Sequence, residues 1–527
     1  MKIAQASALL LISLMLGGCL GGSSDSGSTN NPTAQQPGDT GNTGDTGNTG
    51  DTGNTGDTGN TGDTGNTGDT GNTDVSTEPT GSRIIGNDGV FREMAGLAFP
   101  DNLQTSSHYN LTILDAEKQG NKILVYANRE YSMLSTPYKE RLVFRLNADA
   151  KSLDVTFAEN GLLKIGGTGS DSALGNSHAH ARDSQGRILL LNNNSSSAAT
   201  GVYSLQRYSA DGQLDTSFAS NPNSTPWGSH QPSALLVLNN NSLIWGGSTG
   251  SQYAPNGFQW SLGRITAEGA FPGDPVKLNL PAKMTKNHTQ ILKILADETS
   301  NHLYLLGRTD GHYQLARLSL DTFQPDANFG TNGNGFTEIT EAGIPTDGWR
   351  YSLEDMLLDE EGRIIVVGTG PGSSSNINNA KGEQAFHIYR FTGNGIKDTA
   401  FGEQGLIKVD FGNSGRRTRT YQDRATHVQL TTGGKILVSG TTAGQDGPWL
   451  NMVRLMPDGS IDASFGFYTK RLETQTQSLR TFVRDIDSAQ TAVIQSSEGQ
   501  LIGISANPDS SNSRQSTSHP IMIQWWN

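Results

Sequence analysis

The chain has only one cysteine, Cys19, in 527 residues. A single thiol excludes an intrachain disulfide and a metal site built from several thiolates within the chain. Basic residues are also outnumbered, with 38 Lys and Arg against 51 Asp and Glu, and the formal net charge is -13. This balance argues against a nucleic-acid partner and against adhesion to anionic lipid through a basic surface. Long amphipathic helices are missing too, because no segment has their apolar periodicity.

One β-rich pattern occurs instead, seven times between residue 121 and the C-terminus. Each copy has a β-branched run after a turn, a loop, a second run with an arginine, and an Asp-Gly turn. The clearest copy is Gly434–Gly440 followed by Asn451–Gly466. The copies are roughly 63 residues apart, which suits a four-stranded propeller blade and is too long for one solenoid coil. Their first runs begin at Asn121, Gly186, Asn241, Asn301, Gly362, Gly434 and Gly499.

The arginine of the second run recurs in six units, and in five of them an aspartate follows, three residues before a phenylalanine. A ring of arginines that binds a ligand is one interpretation. The simpler one is an Arg-Asp pair within each unit, because a partly buried guanidinium needs a carboxylate partner. The Asp-Gly pairs lack the alternating oxygen ligands of a calcium loop and are interpreted as hairpin turns. The arginines are Arg145, Arg207, Arg264, Arg317, Arg390 and Arg454, and the aspartates are Asp154, Asp215, Asp326, Asp398 and Asp462.

These repeated motifs resemble the delta-60 repeat family of bacterial β-propellers. The repeat unit of that family has the sequence Gly-Lys-Ile-Leu-Val-x-Gly and then Arg-Leu-x-x-Asp-Gly-Ser-Leu-Asp-x-Ser-Phe-Gly. The resemblance covers residues from about 100 to 527 and is strongest in the fifth and sixth units. The third unit departs from it, since Glu268–Phe271 replaces the turn and loses the aspartate, so its outer strand lacks the usual signal. The resemblance implies a propeller fold. It implies no agreed activity.

The two ends of the repeat region are complementary. The last unit stops at Gln524–Asn527, before a fourth strand, while Ile85–Met94 precedes the first unit and is similar to Phe329–Ile339, which reads as an internal fourth strand. An N-terminal strand that completes the last blade would leave no long sheet edge exposed. The sequence therefore predicts an all-β, seven-bladed β-propeller over residues 83–527, closed by an N-terminal strand and preceded by a disordered Gly-rich tether.

The N-terminus predicts a lipid anchor. Lys2 precedes an apolar stretch, Ala8–Leu16, that is too short to span a bilayer as a stable helix. Leu16-Gly17-Gly18-Cys19 follows and resembles the bacterial lipobox, which implies a signal peptide over 1–18 and diacylglycerol and palmitate on Cys19. A stray cysteine after a secretory signal is the alternative. Because Leu20 rather than aspartate follows Cys19, the resemblance implies the outer membrane, on its periplasmic face or at the cell surface.

Residues 19–82 predict a tether. They contain almost nothing apolar, and residues 38–73 are six tandem copies of Gly-Asp-Thr-Gly-Asn-Thr. Such a tract buries too little surface to offset chain entropy, so disorder is expected. Aspartates at every sixth position also leave a calcium-binding interpretation open, but calcium β-rolls need regular apolar positions that are missing here.

A candidate ligand site lies at the mouth of the propeller channel, where the innermost strands begin. Every unit has a His or Arg there, and side chains from different blades could converge on a ligand. The alternative is that they only solvate a wet channel. One shared site would bind an anion more tightly as the pH falls through the range of about 5 to 8 in which histidine titrates. The predicted ligand-binding residues are His108, His178, His180, His230, His288, Trp349, Arg350, Arg424 and Arg484, with Trp227 as a further stacking surface.

Sharper chemistry is scarce in this sequence. His178 and His180 point to one face of a strand and would suit zinc or copper, but a third ligand must come from another blade. Gly246–Gly250 satisfies the pattern of a serine-hydrolase elbow without the helix that should follow it. No phosphate loop or dinucleotide fingerprint occurs. No metal or other cofactor is therefore predicted.

The sequence thus favours a non-catalytic outer-membrane lipoprotein whose propeller, monomeric, binds or scaffolds an envelope or extracellular protein or glycan. The membrane contact is the lipid on Cys19, and no nucleic acid is expected. The alternative is a periplasmic or surface enzyme, a metal-assisted hydrolase or lyase that uses the His and Arg residues of the channel mouth. Binding is favoured because this cluster is basic, whereas propeller enzymes usually show acidic or metal-ligand clusters.

Overall fold

The computed structural model describes the residues 91–97, 109–133, 136–168, 180–193, 203–218, 227–250, 257–280, 289–309, 312–340, 351–372, 384–411, 422–444, 447–465, 492–495, 500–506 and 521–526. All of them belong to one compact unit, Gly68–Asn527. The predicted signal peptide, Cys19 and the tether lie outside the described residues and remain predictions. No helix in the described ranges is long and apolar enough to cross a membrane.

The described elements are all β-strands, and within each repeat unit consecutive strands pair antiparallel, as in a propeller blade. Middle strands such as Ile364–Pro371, which is buried at every residue but its last, are the apolar runs of the repeat. The strands are β1 (Phe91–Leu97); in unit 1 β2 (Tyr109–Gln119), β3 (Lys122–Met133), β4 (Thr136–Leu146) and β5 (Leu162–Thr168); in unit 2 β6 (His180–Arg182), β7 (Ile188–Asn193) and β8 (Tyr203–Tyr208); in unit 3 β9 (Gln231–Val237), β10 (Leu243–Gly250), β11 (Phe258–Ile265) and β12 (Val276–Leu278); in unit 4 β13 (Gln290–Asp297), β14 (His302–Thr309), β15 (His312–Ser319) and β16 (Phe336–Ile339); in unit 5 β17 (Ser352–Leu358), β18 (Ile364–Pro371), β19 (Gln384–Phe391) and β20 (Leu406–Val409); in unit 6 β21 (Gln422–Thr431), β22 (Lys435–Gly444) and β23 (Gly447–Leu455); and in unit 7 β24 (Ala492–Gln495), β25 (Leu501–Ala506) and β26 (Ile521–Trp526).

These strands form six sheets, so the prediction of seven separate blades is wrong for the described residues. The difference lies in units 5 and 6, whose strands join in one seven-stranded sheet. A single parallel pair, Gln384 with Gln422, connects β19 to β21. The short strand β20 pairs with β19 only from Phe386 to Tyr389, so it leaves the Gln384 end of β19 open to this contact.

The N-terminal strand completes the last sheet, with boundaries that differ from the prediction. Strand β1 pairs antiparallel with β26, from Phe91 opposite Trp526 to Leu97 opposite Ile521, and the sheet order is β1-β26-β25-β24. The predicted segment, Ile85–Met94, overlaps β1 only from Phe91 onward, and residues 85–90 are not among those described. The third unit also keeps an outer strand despite its missing turn motif, since β12 pairs with β11 over three residues.

Among the described residues, seven apolar clusters lie between successive repeat units. One joins units 1 and 2 and includes Tyr126 and Leu190. The cluster that contains Ile502 and Ile504 joins unit 7 to unit 1, where it includes Val125. Each of the others connects one unit to the next. Full burial of one Val, Leu or Ile side chain contributes about 1.5 to 3 kcal/mol, so these clusters are a major source of cohesion between the repeat units.

The glycine near the end of the first run has a steric cause. In unit 6 the pairing of the inner strand shifts between Ala425 and His427, which is a β-bulge, and Gly440 lies opposite Ala425. A Cβ on Gly440 would lie 1.9 Å from the carbonyl oxygen of Arg424. Gly368 of unit 5 has the same relation to Ser352, also at 1.9 Å. A Cβ at Gly440 or Gly368 would therefore require a shift of the bulged strand, whereas unit 1 has Ala127 at the equivalent position, opposite Ile113.

The repeated arginines bind the aspartate of their own unit, which confirms the predicted pairing. In the five units that have the aspartate, the arginine Nε lies 2.6 to 2.8 Å from the aspartate Oδ2. The guanidinium carbon also lies 4.2 to 5.2 Å from the ring centroid of the following phenylalanine. Such cation-π contacts are attractive, and they place the guanidinium in a fixed position.

A second arginine contact, which the sequence did not predict, crosses to the next unit. Arg145 Nη1 donates to the carbonyl oxygen of Ala210 at 3.0 Å, and Arg390 Nη1 donates to that of Pro457. Arg264, whose unit lacks the aspartate, donates to the carbonyl oxygen of Asp321 at 3.1 Å. The acceptors lie in or beside the turn that follows the second run of the next unit. The arginine therefore fastens one unit to the next, and this role explains why it recurs.

We expect Arg390→Ala to lower the free energy of unfolding by about 2 to 4 kcal/mol, because it leaves Asp398 without its partner in a largely buried site. The arginine and aspartate side chains are 3% and 16% exposed. Urea unfolding of the full-length protein measures the loss. The exposed Lys118 is a control, and Lys118→Ala should change stability by less than about 0.5 kcal/mol. Unchanged unfolding with lost ligand binding would instead support the ligand-ring interpretation.

Asp462 accepts hydrogen bonds from several side chains. Lys435 Nζ and Arg454 Nε each lie 2.8 Å from its Oδ2, and the Ser464 hydroxyl donates to Oδ1 at 2.6 Å. Burial alone would raise the pKa of Asp462, but the hydrogen bonds from Lys435, Ser464 and Arg454 hold this pKa well below its usual value. A carboxyl with a depressed folded-state pKa stabilises the fold above its unfolded pKa of about 3.9, and this contribution is lost as the pH falls further.

The expected result is a pH-dependent effect of Asp462→Asn. The variant should be less stable than the wild type by about 2 to 4 kcal/mol at neutral pH, since it leaves Arg454 and Lys435 without a carboxylate. The difference should stay constant down to a pH of about 4 and then shrink. Unfolding curves at several pH values check it. An equal difference at about pH 3 and pH 7 would contradict the assigned role of the carboxylate.

Candidate functional site

Three of the predicted channel-mouth residues are described, and each has its own partners. They are His180, His230 and Arg424. A common site for the whole set remains a prediction, because the other members lie outside the described residues: His108, His178, His288, Trp349, Arg350 and Arg484.

His180 is the first residue of β6, and only 7% of its side chain is exposed. Its ring stacks on Tyr126 of unit 1, with centroids 3.8 Å apart and an interplanar angle of 19°. Its Nε2 lies 3.1 Å from Asp115 Oδ2. Its Nδ1 is buried and has no hydrogen-bond partner among the described residues. One ring nitrogen is therefore held by a carboxylate, and the ring is fixed between this contact and Tyr126.

His230 lies just before β9, in an aromatic cluster. Its ring centroid is 5.6 Å from that of Trp245, and Trp227 packs edge-on against Trp245 at 5.1 Å. Burial lowers the pKa of His230, and the positive charge of Lys277 lowers it further. Trp227 is only 2% exposed, so the prediction that it offers a stacking surface to a ligand is wrong. This cluster is packing between units 2 and 3.

Arg424 lies on β21, and its Nη2 donates to Glu354 Oε1 of unit 5 at 2.7 Å. Its side chain is 41% exposed. Ion pairs with this exposure contribute little to stability, because water and salt screen them. Arg424 is thus an accessible cation at the inner strands, already matched by one carboxylate.

A set of charged side chains that sequence reasoning missed lies directly after the β-bulges of the inner strands. Asp115, Lys293, Asp355 and His427 follow the register shifts of units 1, 4, 5 and 6. Together with His180 they are called the inner-strand cluster.

Contacts of the inner-strand cluster join neighbouring units and, in one case, two units that are not neighbours. Lys293 Nζ lies 2.9 Å from Asp355 Oδ1, and Asp355 Oδ2 accepts from the backbone N–H of Val428 at 3.1 Å. His427 Nε2 lies 3.1 Å from the carbonyl oxygen of Leu114, next to Asp115. Unit 6 is thereby connected to unit 1 without the intervening unit 7.

The charges of the inner-strand cluster stabilise each other. Burial alone would raise the pKa of Asp115, but the hydrogen bond to His180 and the charges of His180, His427 and Lys293 hold it well below its usual value. Burial alone would lower the pKa of Lys293, but Asp355 and Asp115 raise it. Asp115 and Lys293 are therefore charged at neutral pH. Their side chains keep 32% and 24% of their surface accessible, so water reaches the cluster.

The signal for these residues is present in the sequence but weak. Lys293 interrupts the apolar run from Ile291 to Leu295, and Asp355 interrupts Leu353 to Leu358. Polar residues in a buried strand need a partner, so each interruption indicates a special site. The residue type at the position after the β-bulge differs between units, and the turn after the inner strand varies in length. No repeated sequence motif therefore identifies this position.

The structure bears on two candidate sites that the sequence raised, a serine-hydrolase elbow and a metal site. Ser248 of the elbow-like segment lies inside β10, opposite Trp260, and is 4% exposed. It therefore lies in a strand and not at a strand-to-helix turn, in agreement with the rejection of a hydrolase elbow. In the described part of the chain, no group of three or more His, Cys, Asp and Glu residues is placed to hold a metal ion. His178, the proposed companion of His180, is not described.

Comparison with known proteins supports the fold and gives no activity. Residues 434–465 match the family model described as a domain of unknown function (DUF5122) beta-propeller. This match and the sheets of the structure make the chain a β-propeller protein. No curated protein matches the chain.

Solved structures with a similar course of the chain have little sequence identity with it. The acylaminoacyl peptidase of Pyrococcus horikoshii is 9% identical, with a TM-score of 0.34, and the match covers 75% of this chain and 49% of the peptidase. This chain therefore spans about half the length of that protein. The Dos1 propeller is 9% identical with a TM-score of 0.42, and the match covers 83% of this chain and 94% of that one. The propeller domain of the Trilobed protease from Pyrococcus furiosus is 8% identical with a TM-score of 0.36, covering 79% and 93%.

Proposed function

We propose that this protein is an outer-membrane lipoprotein whose β-propeller is a non-catalytic binding module for an envelope or extracellular protein or glycan. Positions that serve the fold can be distinguished from positions that are free to serve binding. The arginine, its aspartate and the bulge-facing glycine have structural roles, and they recur in most units, although unit 3 lacks the aspartate and unit 1 has Ala127 in place of the glycine. Positions required by the fold of a repeat protein are expected to be alike in most units.

The observation that carries the proposal is the residue after the β-bulge. It is Asp115, Ala234, Lys293, Asp355 and His427 in units 1, 3, 4, 5 and 6. The fold accepts an alanine there, so it does not require a charge. A set of different charges at equivalent positions suits one asymmetric ligand, and water-accessible surface on Asp115 and Lys293 keeps the set within reach of solvent.

Binding by full-length protein, with and without the inner-strand charges, tests the proposal. Photo-crosslinking on intact cells and a glycan array identify candidate ligands for the wild type. Lys293→Met together with Asp355→Leu removes one matched pair without leaving an unpaired buried charge. We expect this double variant to lose at least one specific ligand. Lys118→Ala, an exposed substitution, should retain all of them.

Protease accessibility on the same cells shows which side of the membrane the propeller faces. The alternative, a metal-assisted hydrolase or lyase, predicts stoichiometric metal in the purified full-length protein. Metal at that level, together with turnover of a captured glycan or peptide, would replace the binding proposal. Equal ligand sets for the wild type and the double variant would move the binding surface away from the inner strands.

A further inference from the structure

A lysine covers the repeated aspartate in two of the repeat units. In unit 6, Lys435 Nζ lies 2.8 Å from Asp462 Oδ2, and in unit 1 Lys122 binds Asp154 in the same way. Both lysines are the second residue of the first run. The two aspartate side chains are only 5% and 3% exposed. The fold therefore has a position for an ammonium group beside this carboxylate.

Unit 4 has a histidine, His302, at the position of these lysines. Units 2 and 5 have Arg187 and Arg363 there, so unit 4 is the one unit with the aspartate that lacks a permanent charge at this position. The Nε2 of His302 lies 3.6 Å from Asp326 Oδ2, which is beyond hydrogen-bond distance. Asp326 is thus paired with Arg317, at 2.8 Å, but has no lysine.

Asp326 accepts fewer hydrogen bonds than its counterpart in unit 6. Among the described residues it accepts two, from Arg317 Nε and from the backbone N–H of Asn328. Asp462 accepts four, two from its lysine and arginine and two from Ser464. Burial alone would raise the pKa of Asp326, but the bonds from Asn328 and Arg317 hold this pKa below its usual value. Asp326 is therefore ionised at neutral pH, and its oxygens can accept a further donor.

A cavity of about 300 Å³ opens to solvent beside this carboxylate. Asp326 and His302 line it together with Asn301, Ser319 and Ala327. The Asp326 side chain is 16% exposed, so solvent reaches it. The side-chain oxygens of Asn301 and Ser319 are neutral acceptors. An ammonium group has three N–H donors and no acceptor, so one carboxylate with two neutral oxygens suits it.

We propose that this cavity binds the side chain of a lysine from a protein partner, and that its ammonium takes the place on Asp326 that Lys435 takes on Asp462. Lysine is favoured over arginine because the fold itself places a lysine there, whereas the arginines of units 2 and 5 bind the turn residues Asp183 and Asp359 instead. The formal net charge of -13 attracts a basic segment of a partner. The cavity shares no residue with the inner-strand cluster, so the inference goes beyond the proposed function.

Methyl NMR tests the site directly. Ala327 is exposed and lines the cavity, so carbon-13 labelling of the alanine methyl groups provides a local probe in the full-length protein, held in an uncharged detergent. Ala327→Ser assigns its resonance. The ligand is the capped peptide Gly-Ser-Lys-Ser-Gly at about pH 8, where the lysine ammonium is charged.

Titration with this peptide should shift the Ala327 resonance with a dissociation constant of about 1 to 10 mM, since a single partly exposed ion pair contributes little. The same peptide with acetyl-lysine has no charge at that position and should bind about tenfold more weakly or less. This comparison needs no variant of the protein, so it holds even where a substitution disturbs folding.

His302→Lys is the decisive variant, because it supplies the ammonium within the chain as Lys435 does in unit 6. It should abolish the shift of Ala327. His312→Lys adds the same charge at an exposed histidine of the same unit, and this matched control should bind the peptide as the wild type does. His302→Ala removes the ring, leaves the carboxylate open and should bind at least as tightly as the wild type. Circular dichroism checks that all three variants are folded.

The outcomes separate the parts of the proposal. A lysine peptide that leaves the Ala327 resonance unchanged would overturn the site, and so would binding that survives in His302→Lys. Lost binding in His302→Ala would show that the histidine, and not the carboxylate, holds the peptide. Equal binding of an arginine peptide, or tighter binding of glucosamine, would show that the assignment to lysine is wrong. None of these results bears on the inner-strand charges, which Lys293→Met with Asp355→Leu tests.

Discussion

Gly440→Ala is expected to cost about 3 kcal/mol of unfolding free energy or more, although it adds a single methyl group. The new Cβ would lie 1.9 Å from the backbone oxygen of Arg424 and 2.8 Å from the Ala425 Cα. Both atoms belong to the bulged inner strand, which is held by its pairing with β22, so neither can move aside as the end of a side chain would. Relief requires a shift of the strand that carries Arg424 and His427.

The same substitution at Gly433 is the control. Gly433 has a φ of 78°, but a Cβ there would meet nothing within 4 Å. Its replacement by alanine costs only the strain of a left-handed residue, about 1 kcal/mol, with no clash. Melting and urea curves for both variants measure the difference. A loss at Gly440 no larger than the loss at Gly433 would show that contact with the bulge does not explain the repeated glycine.

Most of the fold could be predicted from the sequence, because the residues that determine it recur from unit to unit. An arginine that recurs with an aspartate at a fixed distance indicated a pair, and Arg454 and Asp462 form it at 2.8 Å. The joined sheet of units 5 and 6 could not be predicted from the sequence. The contact of Gln384 with Gln422 follows from the short pairing of β20 with β19 and not from any residue pattern.

The candidate site was harder to predict from the sequence, for a different reason. Sequence reasoning chose residues at the starts of the inner strands, which identified His180 but not its partner Asp115. A bulge changes which residue faces inward, and its position depends on backbone geometry. The same structural position is therefore occupied by residues that share no sequence motif: Asp115, Lys293, Asp355 and His427. Residues that differ between repeats are also the ones that a search for repeats passes over.

Cys19→Ala is expected to abolish lipidation and, once the leader is removed, to release the protein from the membrane completely. Lipidation needs the thiol, and Cys19 is the only cysteine in the chain. Acyl chains contribute about 0.8 kcal/mol per buried CH₂, so a diacylglycerol with a further acyl group holds a protein far more firmly than the surface contacts of a soluble domain. The formal net charge of -13 argues against a basic surface that would replace the lipid.

The measurement is fractionation of cells at high salt, with incorporation of labelled palmitate as a second readout. Because an uncleaved leader could itself hold the variant at the inner membrane, a second form replaces residues 1–18 with a cleavable signal of a secreted protein and keeps Ala at position 19. Both readouts should be lost in this form. Leu20→Ala retains the thiol and should stay lipidated and membrane-bound. Outer-membrane association of the form without the thiol, at high salt, would show that the propeller itself binds an outer-membrane component.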